Sequence, residues 1–227
     1  MDSSKLARAI YRRTSTPFRV TFDIVSQLRA SRNPPHLNDA VKDEYIAGNT
    51  RNWFKEYKLH GFSRVYSALS HFRPVQNPAT LKTLSIGPRT EVELYYLCVF
   101  FGFSWKNVTG LDLVAPTPKI VLGDISLKIP FPDNSFDVIV ASHCLEKSRD
   151  PVKTRDEILR IAKPGARIIV CGNTSVTARP GEKIYTIHPF ENGVYGFTKH
   201  YGLDLEAIEF MNAKSDHGFE IIFRVDK

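Results

Sequence analysis

The apolar positions change period along the chain, and the changes mark its elements. Over 3–31 and 38–72 they recur at helical spacing. Phe18, Phe22, Val25 and Leu28 make one stripe, and Trp53, Phe54, Tyr57, Phe62 and Tyr66 bring large rings into the second stretch. Asn33-Pro34-Pro35 and the run from Arg73-Pro74 to Pro78 interrupt this pattern, so a helical N-terminal extension is expected over 1–78. The rings of 53–66 either cap the core of the main domain or close over its cleft as a lid.

From residue 79 the apolar positions form short β-branched runs. Leu81–Ile86, Val108–Leu113, Lys119–Leu122, Phe136–Ser142 and Arg167–Cys171 read as strands. Between the first two, Thr90 and Glu93 form a capping box that starts an apolar helix, and Gly102 stops it. Asp150 with Pro151 starts another helix, PVKTRDEILRIAK, which is expected to end at Pro164-Gly165. Strands alternating with helices predict a parallel sheet covered on both faces. Residues 172–200 form a long excursion rich in aromatic residues, which reads as functional by its length. Leu205–Phe210 and Phe219–Val225, joined through Lys214–Gly218, read as an antiparallel hairpin at one edge. The expected fold is therefore α/β, a Rossmann-like, doubly wound, mostly parallel sheet with a C-terminal antiparallel hairpin over 79–227, plus the N-terminal helical extension.

Composition changes this picture in two places. Residues 1–80 hold 13 Lys and Arg against 6 Asp and Glu, whereas 81–227 hold 18 of each, so the whole net charge of +7 lies in the first third. That asymmetry either solvates amphipathic helices or presents a surface to an anionic partner, and it leaves nucleic acid open as a partner of 1–73. Cys98, Cys144 and Cys171 sit in apolar segments and form no Cys/His cluster, which suggests neither a disulfide framework nor a metal site. With no bilayer-length apolar run and no secretory-type apolar start in the sequence, a cytoplasmic location is expected. Oligomeric state leaves no trace in the pattern.

The stretch Thr83–Leu113 carries the chemistry. It reads as one βαβ unit, with Gly87 at the first turn and Asp112 at the end of the second strand. A dinucleotide needs further glycines here so that its pyrophosphate can collect backbone N–H groups, but Pro88 has no N–H and Arg89 is bulky. NAD and FAD are thus disfavoured, and no GxxxxGK[ST] loop is present for a triphosphate. S-adenosylmethionine (SAM) contains adenosine without phosphate, and asks only for one close backbone approach, a ribose acceptor and an adenine contact. Gly87, Asp112 and Asp124 stand at the ends of three successive strands, where those groups belong.

The series SIGPR, VTGLDL, LGDI and PFPDNSFDVIVASHCLE, followed by a helix ending in KPG, resembles the class I SAM-dependent methyltransferases, in particular the type 11 group. The resemblance covers about 81–175. It implies that Gly87 lies under the methionine part of the cofactor and that Asp112, with Leu113 beside it, binds the ribose. It also implies that Asp124 with Ile125 contacts the adenine, and that Ser142 and His143 line the floor beside the methyl group. Ser85 stands where the family has an acid, and Arg89 where it has a glycine. Arg89 either pairs with the cofactor's carboxylate, for which its fork is shaped, or fills the pocket. His143 is the candidate general base, since an imidazole suits proton transfer near neutrality. His188 is a second candidate, and it lies with His200 in the excursion. Three functions follow: methyl transfer to a small-molecule or glycan-like acceptor, methyl transfer to RNA or another polyanion, and a non-catalytic binding or scaffold module.

Overall fold

The computed structural model describes residues 68–74, 76–88, 91–113, 117–172, 194–214 and 218–227. The stripe of 18–28, the rings of 53–66, Arg89, Thr90 and His188 lie outside the described residues.

Seven strands form one sheet: β1 (Thr83–Ile86), β2 (Val108–Asp112), β3 (Ile120–Leu122), β4 (Phe136–Ser142), β5 (Ala162–Gly172), β6 (Ile208–Lys214) and β7 (Gly218–Arg224). Their order is β3-β2-β1-β4-β5-β7-β6. The first five are parallel, and β7 joins β5 and β6 antiparallel, which gives the expected sheet with its edge hairpin. Among the described residues three helices accompany it: α1 (Glu91–Phe101), α2 (Pro151–Ile161) and α3 (Val194–Tyr201).

Side-chain alternation along β4 divides the core in two. Ile139 and Ala141 face one way, into a cluster with Ile158 and Ile161 of α2 and Phe197 and Tyr201 of α3. Val138 and Val140 face the other way, into a cluster with Leu94 and Leu97 of α1. Both faces are covered, which is why the central strands read as continuous apolar runs rather than alternating ones. Ala68, Leu69 and Phe72 pack into the α1-side cluster, where the Phe72 and Phe103 rings stack at 6.2 Å. Among the described residues no helix is long and apolar enough to cross a membrane.

Several boundaries differ from the sequence reading, and the larger shifts have local causes. β1 starts at Thr83 rather than Leu81, because the Lys82 N–H donates to the Asp137 carboxylate (2.8 Å) instead of joining the ladder. α2 stops at Ile161, before the KPG turn, and β5 starts at Ala162 rather than Arg167. There Ala162 pairs with Phe136, and Pro164 disfavours helical geometry at Lys163. The hairpin's first strand starts at Ile208, after a 3-10 turn over Leu205–Ala207. The excursion contains α3, whose buried Val194, Phe197 and Tyr201 recur at i, i+3 and i+7 and dock against the sheet.

α2 begins as expected: Asp150 accepts from the Lys153 N–H at 3.0 Å and Pro151 occupies the first turn. Asp150→Ala removes that cap and is expected to cost about 1 kcal/mol, lowering the melting temperature by about 2–4 °C. Thermal denaturation followed by circular dichroism checks this; an unchanged midpoint would mean the cap is replaced by solvent.

Candidate functional site

The strand order reverses at β1. The chain runs from β1 outward to β2 and β3, then returns to place β4 on the other side of β1. In open parallel sheets a ligand crevice forms beyond the carboxyl ends of the strands at such a reversal. Gly87 follows β1, Asp112 ends β2, Gly123-Asp124 follow β3, and Ser142 ends β4 with His143 next. The fold thus brings Gly87, Asp112, Leu113, Asp124, Ile125, Ser142 and His143 to one edge of the sheet.

Gly87 has φ +72°, a left-handed geometry that favours glycine. A Cβ placed there would stand 3.1 Å from the Cys144 Cβ, so the turn after β4 closes directly onto this glycine. The Gly87 N–H donates to the Leu111 carbonyl (2.8 Å), and the Gly123 N–H to the Asp112 carbonyl (2.9 Å). These two bonds hold the ends of β1, β2 and β3 in line. Asp112 is 5% exposed, a buried carboxylate at the mouth of the crevice. Ser85 is equally buried, inside β1 in register with Gly110 and Val140, and supplies a hydroxyl where the resemblance placed an acid.

The loop after β3 is fixed by its own side chains. One Asp124 carboxylate oxygen accepts from the Ser126 N–H (2.8 Å), and the other pairs with the Arg149 guanidinium. Thr154 donates to the Ile125 carbonyl at 2.7 Å, and its hydroxyl meets that of Ser148 at 2.6 Å. Asp124 therefore shapes the loop that carries half-buried Ile125. A Cβ at Gly123 would fall 2.5 Å from Leu111 Cδ1, so the Leu111 side chain would have to shift to admit one.

His143 leaves β4 with φ +52°, in the left-handed region. Its N–H donates to the Cys171 carbonyl at 2.7 Å, which anchors the bend to the end of β5. The 3-10 turn Leu145–Lys147 follows, and sets Glu146 one turn from the imidazole. Glu146 Oε1 lies 3.6 Å from His143 Nδ1; the carboxylate side chain is 4% exposed and the imidazole 23%. Between them, burial pushes the Cys144 thiol well above its ordinary range. Glu146, Asp112 and Glu93 add to the shift and Lys147 opposes it. This cysteine stays protonated, with its sulfur turned to the Ile86 carbonyl at 3.5 Å, and lacks the thiolate a nucleophile needs.

Glu146, Cys144 and Arg149 were not singled out as site residues by sequence reasoning. Glu146 was legible in principle as an acid three residues after the histidine that ends a strand. Arg149 carries no local signal, because its partner lies 25 positions away. The groove lined by Phe72, Leu81, Asp137, Pro164 and Arg167 sits at the opposite ends of the strands and includes none of the expected site residues. Among the described residues no group of three His, Cys, Asp or Glu side chains could hold a metal ion.

Strand order, core and crevice define the class I SAM-dependent methyltransferase fold. Residues 89–170 match the family model described as a methyltransferase domain, so the resemblance read from the sequence is borne out. A methyltransferase from Haloferax volcanii, solved in complex with the Trm112 methyltransferase activator, superimposes with a TM-score of 0.61 at 15% identity, over 81% of this chain and 97% of that one. A SAM-dependent methyltransferase from Aquifex aeolicus gives 0.52 at 16% identity, over 75% and 93%. In sequence, the chain is 35% identical over 92 residues to a demethylmenaquinone methyltransferase from Renibacterium salmoninarum, covering 34% of this chain and 38% of that protein. The chain thus matches less than half the length of this relative.

Proposed function

We propose that the protein is a SAM-dependent methyltransferase acting on a small-molecule acceptor. The observation that carries the reading is the meeting of Gly87 and Asp112 at the reversal of strand order. There, a glycine in left-handed geometry and a buried carboxylate suit an adenosine whose linkage to methionine carries no phosphate. At these two points the chain would meet the cofactor: the Gly87 backbone would lie beneath its methionine part, and Asp112 would accept from the ribose hydroxyls. Ile125 and Leu113 would flank the adenine, with Asp124 holding the loop rather than meeting the base. When bound, SAM supplies an electrophilic methyl group. The chain's own residues orient it and exclude water, and for methyl transfer positioning supplies much of the acceleration.

The name of the relative from Renibacterium salmoninarum, a demethylmenaquinone methyltransferase, supports a small-molecule acceptor of quinone type. The basic first third favours an anionic one, and in its extreme form a nucleic acid. Transfer of tritiated methyl from SAM, with the label divided between an organic-extractable fraction and RNA, separates these. Label in the extractable fraction is expected. Label confined to RNA would overturn the small-molecule reading and support the polyanion one, whereas no transfer and no cofactor binding would support a non-catalytic module.

A further inference from the structure

The turn after β4 contains an arrangement that cofactor binding does not use. Glu146 is 3% exposed, and among the described residues its one ion-pair partner is His143. A buried carboxylate is costly unless something charged or hydrogen-bonding meets it, so this one is held against the imidazole for a reason. The backbone makes the same point. His143 adopts a left-handed φ that non-glycine residues rarely take, and its N–H is tied to β5. That geometry turns the ring back over its own 3-10 turn, towards Glu146. The gap of 3.6 Å is a few tenths of an ångström beyond hydrogen-bond reach, and such contacts tighten when an active site fills. The remaining charges felt at the neighbouring Cys144 come from Lys147 on the same loop, Asp112 on β2 and Glu93 on α1. Buried Tyr201 of α3 packs nearby and is kept protonated by burial.

We propose that Glu146 is the positioning residue of a carboxylate–histidine pair in which His143 acts as base. We further propose that the acceptor is consequently a phenol, enol or hydroquinone, which must lose a proton to become nucleophilic. This rests on the methyltransferase reading. Glu146 accepts from Nδ1–H of His143 and so fixes the tautomer that leaves Nε2 free to take a proton. The acceptor's hydroxyl proton passes to Nε2, and the electron pair it leaves forms the new bond to the methyl carbon. The S–C bonding pair stays on sulfur as a neutral thioether. A neutral amine acceptor would attack through its own lone pair and would need no such base.

The test is a double-mutant cycle on the full chain with 1,4-naphthohydroquinone as acceptor, alongside 15N NMR of histidine-labelled protein. Glu146→Gln is expected to lower kcat about 10- to 100-fold while leaving the KM for SAM and the affinity for S-adenosylhomocysteine within about twofold. In a His143→Ala background the same change is expected to alter the rate less than about twofold, since it acts through the missing ring. The NMR signal lost in His143→Ala should show the Nδ1–H tautomer in the parent protein, and its redistribution in Glu146→Gln. Equal losses in both backgrounds, an unchanged tautomer, or no turnover of the hydroquinone by protein that binds S-adenosylhomocysteine would overturn the proposal. Absence of S-adenosylhomocysteine binding would instead sink the methyltransferase reading, and the NMR result would still decide whether Glu146 sets the His143 tautomer.

Discussion

Asp112→Ala is expected to weaken binding of S-adenosylhomocysteine about 30- to 150-fold with the fold intact. A carboxylate that accepts two ribose hydroxyls contributes about 2–3 kcal/mol through charge-assisted hydrogen bonds, and each 1.4 kcal/mol is tenfold in affinity. The burial of Asp112 keeps water from substituting for it, which places the loss towards the upper end. Asp112→Asn keeps one acceptor oxygen and should fall between the two. Calorimetric titration of the variants, with circular dichroism to confirm folding, makes the measurement. Affinity within about threefold of the parent would show that Asp112 only terminates β2.

The second large effect is on stability. Phe197 of α3 is fully buried and holds three rings together: Tyr201 at 4.3 Å, Phe219 at 5.3 Å and Phe223 at 6.0 Å. Phe197→Ala deletes that hub and is expected to cost about 3–5 kcal/mol, because the strands beneath it cannot close the cavity. In a chain of this size the melting temperature should fall by about 6–20 °C. Tyr195 on the same helix is 68% exposed, and Tyr195→Ala should change stability by less than about 0.5 kcal/mol. Equal effects from the two variants would mean that α3 is not held by its apolar stripe.

The central sheet was legible because its strands are buried on both faces and therefore appear as uninterrupted apolar runs. β4 was placed at its observed ends, Phe136–Ser142, since a polar turn precedes it and His143 follows it. The end of α2 was misplaced by two residues, because LRIAK continues a helical pattern that β-pairing of Ala162 with Phe136 overrides. α3 was missed for a different reason. Its stripe of Val194, Phe197 and Tyr201 is one short helix within a long aromatic excursion, and its burial depends on β7, far along the chain.

In the candidate site, the placement of Gly87 and Asp112 at neighbouring strand ends is legible because turn chemistry and strand ends are local properties. The surroundings of Asp124 are only half legible. Its place at the end of β3 is local, but its engagement by Arg149 depends on a loop 25 residues on. Glu146 stands in the ASHCLE motif with no local sign of a role, because the turn at His143 is what brings the two side chains together. Arg89, on which the sequence reading left two outcomes open, lies outside the described residues, as does His188.

The most direct test of the account is isothermal titration of the folded, full-length chain with S-adenosylhomocysteine. Saturable binding to one site per chain, weakened by Asp112→Ala, is the expected result. Folded protein that releases no heat at high ligand concentration would contradict it.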